Sequence, residues 1–246
     1  MSLVADVIVW FGDPAHWTGP AGVPARLVEH LTYTGLAVAV GALIAVPLGA
    51  LIGHTGRGGF LVVGVANGLR ALPELGLLTL LVLLTTISLV PVTIALVVLA
   101  VPPLLAGTYA GVRNVDRAVV DAARGMGMRG HEVLVRVELP NALPLILGGL
   151  RAATLQVLAT AAIAAFIALG GLGRYLIDGL AQQDYPQMVA GAVLIAVLAL
   201  VTEAVLAGVQ RLVVSPGLRL SRTARSRRPE PARLVPLAHH RRRTTR

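Results

Sequence analysis

The sequence predicts an all-α membrane protein with about five transmembrane helices, its N-terminus outside and its C-terminus in the cytoplasm. Three observations carry that prediction. Of the 246 residues 56% are hydrophobic and 13% charged, and the mean hydropathy is +0.79, more apolar surface than a soluble domain of this length can hide. The apolar residues run in blocks long enough to cross a bilayer, which takes roughly 20 helical residues. All 21 basic residues are Arg, and they gather on one side of those blocks.

The spans are expected at about 31–52, 60–84, 90–111, 146–169 and 188–210. Arg57 lies between the first and second, and Arg113, Arg117, Arg124, Arg129 and Arg136 lie between the third and fourth. Eleven more follow the fifth, from Arg211 onward, while the opposite side holds Arg26 and Arg174. That asymmetry sets the orientation. Tyr33, Tyr109, Tyr175 and Tyr185 fall near expected span ends, where an aromatic belt would sit. Pro47 and the Pro102–Pro103 pair are expected to kink spans one and three.

Two terminal segments flank the spans. Residues 1–29 form an extracytoplasmic N-terminal segment. Its opening, MSLVADVIVWFGDPAHW, has no basic n-region and no small-residue cleavage site, so it reads as an amphipathic helix at the membrane surface, not a signal peptide. Residues 219–246 are Arg-rich and are expected to be a disordered cytoplasmic tail, a topology anchor drawn to anionic membrane lipid and not to nucleic acid. The net charge of +9 therefore belongs largely to the tail. Cysteine is absent, and His239 and His240 stand among repelling Arg side chains, so no metal site is expected.

The informative stretch is the cytoplasmic gap, 113–145. Asp116 suits an N-cap, and Ala118, Val119, Ala122, Ala123 and Met126 make a narrow apolar stripe at helical spacing. Gly127 suits the left-handed position that ends a helix. A second short helix, with Val133, Leu134 and Val137 on one side, is expected to stop at Pro140. Small side chains at the elbow would let another protein's surface come close.

These residues resemble the "EAA" loop of the binding-protein-dependent permeases of ABC importers. That loop has an acidic residue, two alanines, three variable residues and Gly, then nine residues and Ile-x-Leu-Pro. Here it reads Asp121-Ala122-Ala123, Gly127 and Val137-Glu138-Leu139-Pro140, with Asp for the usual Glu and Val for Ile. The resemblance covers roughly residues 30–218 and is nearest to the glycine betaine/choline/proline osmoprotectant permeases. It rests on TYAGVRNVDRAVVDAARGMGMRG, RVELPNALPLILGGLRAATLQV and ALGGLGRYLIDGLAQQDY.

The resemblance implies a MetI-like ABC permease fold over residues 30–218, multi-pass in the bacterial cytoplasmic (inner) membrane. It implies that the loop docks on an ABC ATP-binding subunit through Asp121, Ala122, Ala123, Gly127, Val137, Leu139 and Pro140. An extracytoplasmic substrate-binding protein and a second, homologous or identical permease complete the assembly, which works by alternating access. ATP and Mg fall to the partner ATPase. With no Lys the chain has no G-x-x-x-x-G-K-[ST] phosphate loop, and GGLG at 170–173 reads as a turn. No catalytic residue and no cofactor is expected on this chain. Nine aromatic residues, none clustered within a span, leave no cage for a quaternary amine, so substrate choice is expected on the binding protein. The alternatives are a permease for another small solute, such as a methionine-like amino acid, and a membrane scaffold. An intramembrane hydrolase is disfavoured because Asp and His are absent from spans two to five.

Polar residues within the spans are functional candidates. Asn67, Arg70 and Glu74 lie around Pro73 and read either as a lining or gate of the pathway or as a structural ion pair; Arg70 and Glu74, four apart, could pair. Gln156 and Thr160 are pathway or subunit-contact candidates. Arg151 is expected to snorkel to the cytoplasmic interface, and Glu203, a further candidate for the pathway or gate, needs a partner from another helix or a proton.

Overall fold

Apolar blocks with no polar alternative for their backbone groups must close their hydrogen bonds internally, and helices do so. In the computed structural model, residues 2–214 are described, and helices account for most of them. The tail 219–246, with His239 and His240, lies outside the described residues.

A short helix, α1 (Leu3–Gly12), capped by Ser2, opens the chain. Its Leu3, Val4, Ile8 and Val9 are exposed, while Trp10 is buried against Tyr175. Helix α2 (Val23–Thr55) then extends beyond both ends of the expected first span. At 1.5 Å per residue it is about 50 Å long, so its end turns stand clear of a hydrocarbon core about 30 Å thick. Helix α5 (Leu89–Arg113) and helix α10 (Tyr185–Val213) are likewise long enough to span. Both α2 and α5 continue through their internal prolines, Pro47 and Pro102–Pro103.

Two elements differ from expectation. The second block is not one continuous helix: it is a pair, α3 (Gly59–Arg70) and α4 (Glu74–Leu84), bent by 83° at the break, the fifth span if the pair crosses as one. Pro73, lacking an N–H and setting extended geometry before it, caps the start of α4 and ends the run. Helix α6 (Arg117–Gly125) is followed by α7 (Gly130–Val133), and here the chain does not stop at Pro140. A π-helical turn, Leu134–Glu138, hands over to α8 (Leu139–Thr160), and helical structure is continuous over Gly130–Ile167. Pro140 falls in the first turn of α8 after the change of register, where a missing N–H is tolerated.

Close backbone approach builds the core. Gly41, Gly49 and Gly53 lie along one face of α2, together with the fully buried Ala37 and Ala45, at four-residue spacing. A Cβ at Gly49 would come 2.9 Å from the Thr108 Cβ and 3.0 Å from the Leu105 carbonyl oxygen, so α5 packs directly on that face. The α5–α8 contact is as tight: a Cβ at Gly107 would lie 2.9 Å from the Gly149 Cα. Without a hydrophobic drive between helices in lipid, such small-residue stripes supply the packing. α10 stays on the outside, with Val197, Leu200, Val201, Val205 and Leu212 exposed.

After α8, Ala161–Ile167 narrows to a 3-10 turn and Gly171 takes a left-handed conformation (φ +89°), so GGLG is a turn leading into α9 (Gly173–Gln182). Glu29 accepts the Gly171 N–H at 2.7 Å and pairs with Arg26 at 3.0 Å. Tyr33 and Tyr175 are buried, not placed in an aromatic belt; the Tyr175 hydroxyl donates to the Ala21 carbonyl at 2.8 Å, and burial pushes its phenol above the ordinary value.

Candidate functional site: the α6 elbow and the polar residues of the spans

Asp116 caps α6 by accepting the Ala118 N–H at 3.0 Å. The helix ends where the Met128 N–H reaches the Ala123 carbonyl at 3.2 Å and the Gly127 N–H reaches the Arg124 carbonyl at 2.9 Å, the paired bonds of a Schellman motif. Gly127 carries the left-handed turn at φ +86°, as its position required. Nothing lies within 4 Å of where its Cβ would be. The next helix starts from a capping box, in which the Arg129 N–H donates to Glu132 at 2.8 Å.

Of the apolar stripe on α6 only Ala123 is buried. Val119 and Met126, 78% exposed, face away from the fold together with Ala118 and Ala122, and Asp121 is exposed beside them. A short amphipathic helix that turns its apolar side outward is suited to bind another protein.

The elbow's base is built differently. Leu134 and Leu139 pack with Ala50, Val112, Ala142 and Ile146, which join the ends of α2 and α5 to α8. Val137 is half-buried and Pro140 exposed. Glu138, the unassigned position between Val137 and Leu139, is buried and accepts a 2.5 Å hydrogen bond from His54 Nδ1 in the last turn of α2. Sequence reasoning passed over both residues, because nothing in one dimension joins positions 84 apart.

In the spans, Arg70 ends α3 and Glu74 begins α4, so the break at Pro73 separates the two charges and no ion pair forms between them. Asn67 and Arg70 are exposed and Glu74 is half-buried. Gln156 and Thr160, half-buried, lie on α8. Among the described residues none of these five side chains hydrogen bonds to another, although α3, α4 and α8 all pack on α5. Arg151 does not snorkel. It pairs with Glu203 of α10 and donates to Gln210 at 2.5 Å, and Gln210 donates to the Pro144 carbonyl at 3.0 Å. Glu203 thus has the partner it needed.

The described helices, several of them long and apolar enough to cross a membrane, define a multi-span membrane protein in class. The chain belongs to the family described as binding-protein-dependent transport system inner membrane component, which matches residues 45–218. It is a multi-pass permease subunit of the inner membrane, not an enzyme. It is 36% identical over 194 residues to the choline transport system permease protein OpuBB of Bacillus subtilis, covering 79% of this chain and 89% of that one. The glycine betaine/carnitine/choline permease OpuCB of the same organism is 36% identical over 191 residues, covering 78% and 88%. The osmoprotectant import permease OsmW of Salmonella typhimurium is 34% identical over 205 residues, covering 81% and 95%. Among solved structures, a chain of the MetNI methionine ABC transporter in an inward-facing conformation is similar at TM-score 0.70 and 20% identity, covering 82% of this chain and 99% of that one. That likeness is one of fold.

Proposed function

We propose that this chain is the permease of an ATP-driven importer for osmoprotectants of the glycine betaine, choline and carnitine type. The observation that carries the reading is the identity of about a third to relatives named for those solutes, over more than three quarters of the chain. The permease domain is residues 30–218, with the N-terminus outside and the C-terminus inside, a reading supported by the Arg asymmetry.

In this reading the α6 elbow, Asp121 to Gly127, docks on an ABC ATP-binding subunit that carries ATP and Mg. Val137, Leu139 and Pro140 tie the elbow to the spans. Closure of the ATPases moves the docked elbows, and two permeases rock between inward-open and outward-open states. Asn67, Arg70 and Glu74, freed by the break at Pro73, line or gate the path with Gln156 and Thr160. Unpaired polar side chains and an interrupted helix in a span favour that role. Glu203 is reassigned to the ion pair with Arg151. Substrate choice rests with an extracytoplasmic binding protein.

Uptake of labelled glycine betaine, choline, carnitine and proline into salt-stressed cells, with and without the gene, tests the assignment. Loss of betaine or choline uptake is expected. Unchanged uptake of all four, with loss of methionine uptake, would instead support an amino-acid importer.

A further inference from the structure

Glu138 sits 5% exposed at the base of the elbow. Moving a carboxylate out of water is costly unless a partner offsets it, and a residue on an ordinary solvated loop would not be placed there. Its partner is a single imidazole: the His54 Nδ1–H donates to Glu138 Oε2 at 2.5 Å, and the His54 side chain is itself mostly covered. The π-helical turn Leu134–Glu138 ends on this residue, an irregularity that concentrates at functional sites. Around it, Leu134 and Leu139 wedge between Ala50 of α2 and Val112 of α5. The contact joins the helix that continues directly from the elbow to α2, which α3, α4 and α5 separate from α6 in the chain.

We propose that the His54–Glu138 pair is a pin that couples α2 to the elbow, so that displacement of α6 is carried into α2 as well as along Gly130–Ile167. The inference rests on the docking role given to α6 above. His54 and Glu138 touch no solute; they are positioning residues, acting through α2. A short, shielded, charge-assisted hydrogen bond backed by apolar packing is a stiff link. The pin stays closed through the transport cycle and does not act as a latch that opens.

The test uses the complete importer in liposomes. His54→Ala and Glu138→Gln should each lower solute moved per ATP hydrolysed by about tenfold. The solute concentration for half-maximal uptake and the association with the ATPase should not change, and the double variant should be no worse than either single. The chain has no cysteine, so His54→Cys with Glu138→Cys introduces its only two. Unbridged, this variant should couple poorly. Side chains that meet end to end leave too wide a gap for a direct disulfide, so a short bis-thiosulfonate linker is used to join the two thiols, and it should restore coupling. Normal coupling in the single variants, or no recovery on bridging, would overturn the pin; if the single variants fail to assemble, the comparison of bridged and unbridged forms of one assembled complex decides. Cross-linking of Met126→Cys to the ATPase separates the two levels. If that contact is absent the docking role fails and the pin with it, whereas intact docking with normal coupling in the variants removes the pin alone.

Discussion

Arg151 on α8 and Glu203 on α10, 52 positions apart, form an ion pair inside the span region, and Gln210 extends it to the Pro144 carbonyl. Each residue alone would be a charge in lipid. Together they neutralise one another where the dielectric is low, and they tie the outermost helix to the core. The contact explains why α10, whose outer face is bare Val and Leu, is held in place by more than apolar packing.

Glu203→Gln should therefore strand the Arg151 guanidinium. Both side chains are about one-third exposed, so a loss of about 2 kcal/mol is expected, below the cost at a fully buried site. Thermal unfolding of the purified complex in detergent measures it. The charge-exchanged pair, Arg151→Glu with Glu203→Arg, should recover part of the loss; a melting point for Glu203→Gln equal to wild type would remove the pair from the account of stability.

Arg70 and Glu74 behave in the opposite way. The break at Pro73 parts them, so Arg70→Gln and Glu74→Gln should act independently on transport, with a coupling energy below about 0.5 kcal/mol in a double-mutant cycle. Uptake rates of the four forms decide the matter. Strong coupling would mean that the charges meet in the working complex after all.

Gly127→Val tests the elbow. There is space for the side chain, so the cost lies in the backbone: a β-branched residue at φ +86° loses about 1–2 kcal/mol locally. The Schellman turn should open, and co-purification with the ATPase should fall sharply while membrane insertion is kept. Met126→Asp should weaken the same association without disturbing the turn, because Met126 is exposed.

Gly49→Val tests the α2–α5 contact. Even a Cβ there meets Thr108 and Leu105, so a branched side chain must push the helices apart, at a cost of about 2–3 kcal/mol. Gly64→Ala is the control, since nothing lies within 4 Å of that position. Lower yield and a lower melting point are expected for Gly49→Val, and neither for Gly64→Ala.

Local chemistry was readable in one dimension. Hydropathy marks the apolar blocks because lipid demands them, and the cap at Asp116 and the left-handed Gly127 follow from bonds within a few residues. The spacing from Asp121 to Pro140 carries the family. The glycine stripe on α2 was also present as a pattern, Gly41, Gly49 and Gly53 with Ala45, but only the facing α5 backbone gives it meaning. The sequence misled where a choice depended on register or on a neighbour. Pro73 breaks its span while Pro140 does not, because the π-helical turn before Pro140 shifts the backbone register.

What the sequence by itself determined is therefore the solvent of the chain, the approximate place of its spans and the elbow with its family pattern, since each depends on composition or on residues near one another. What only the tertiary structure decided is which polar groups are partnered. Arg151 finds Glu203, Glu138 finds His54, and Arg70 loses Glu74. A charge in a low-dielectric medium is governed by what lies within a few ångströms of it, and packing of distant helices sets that distance.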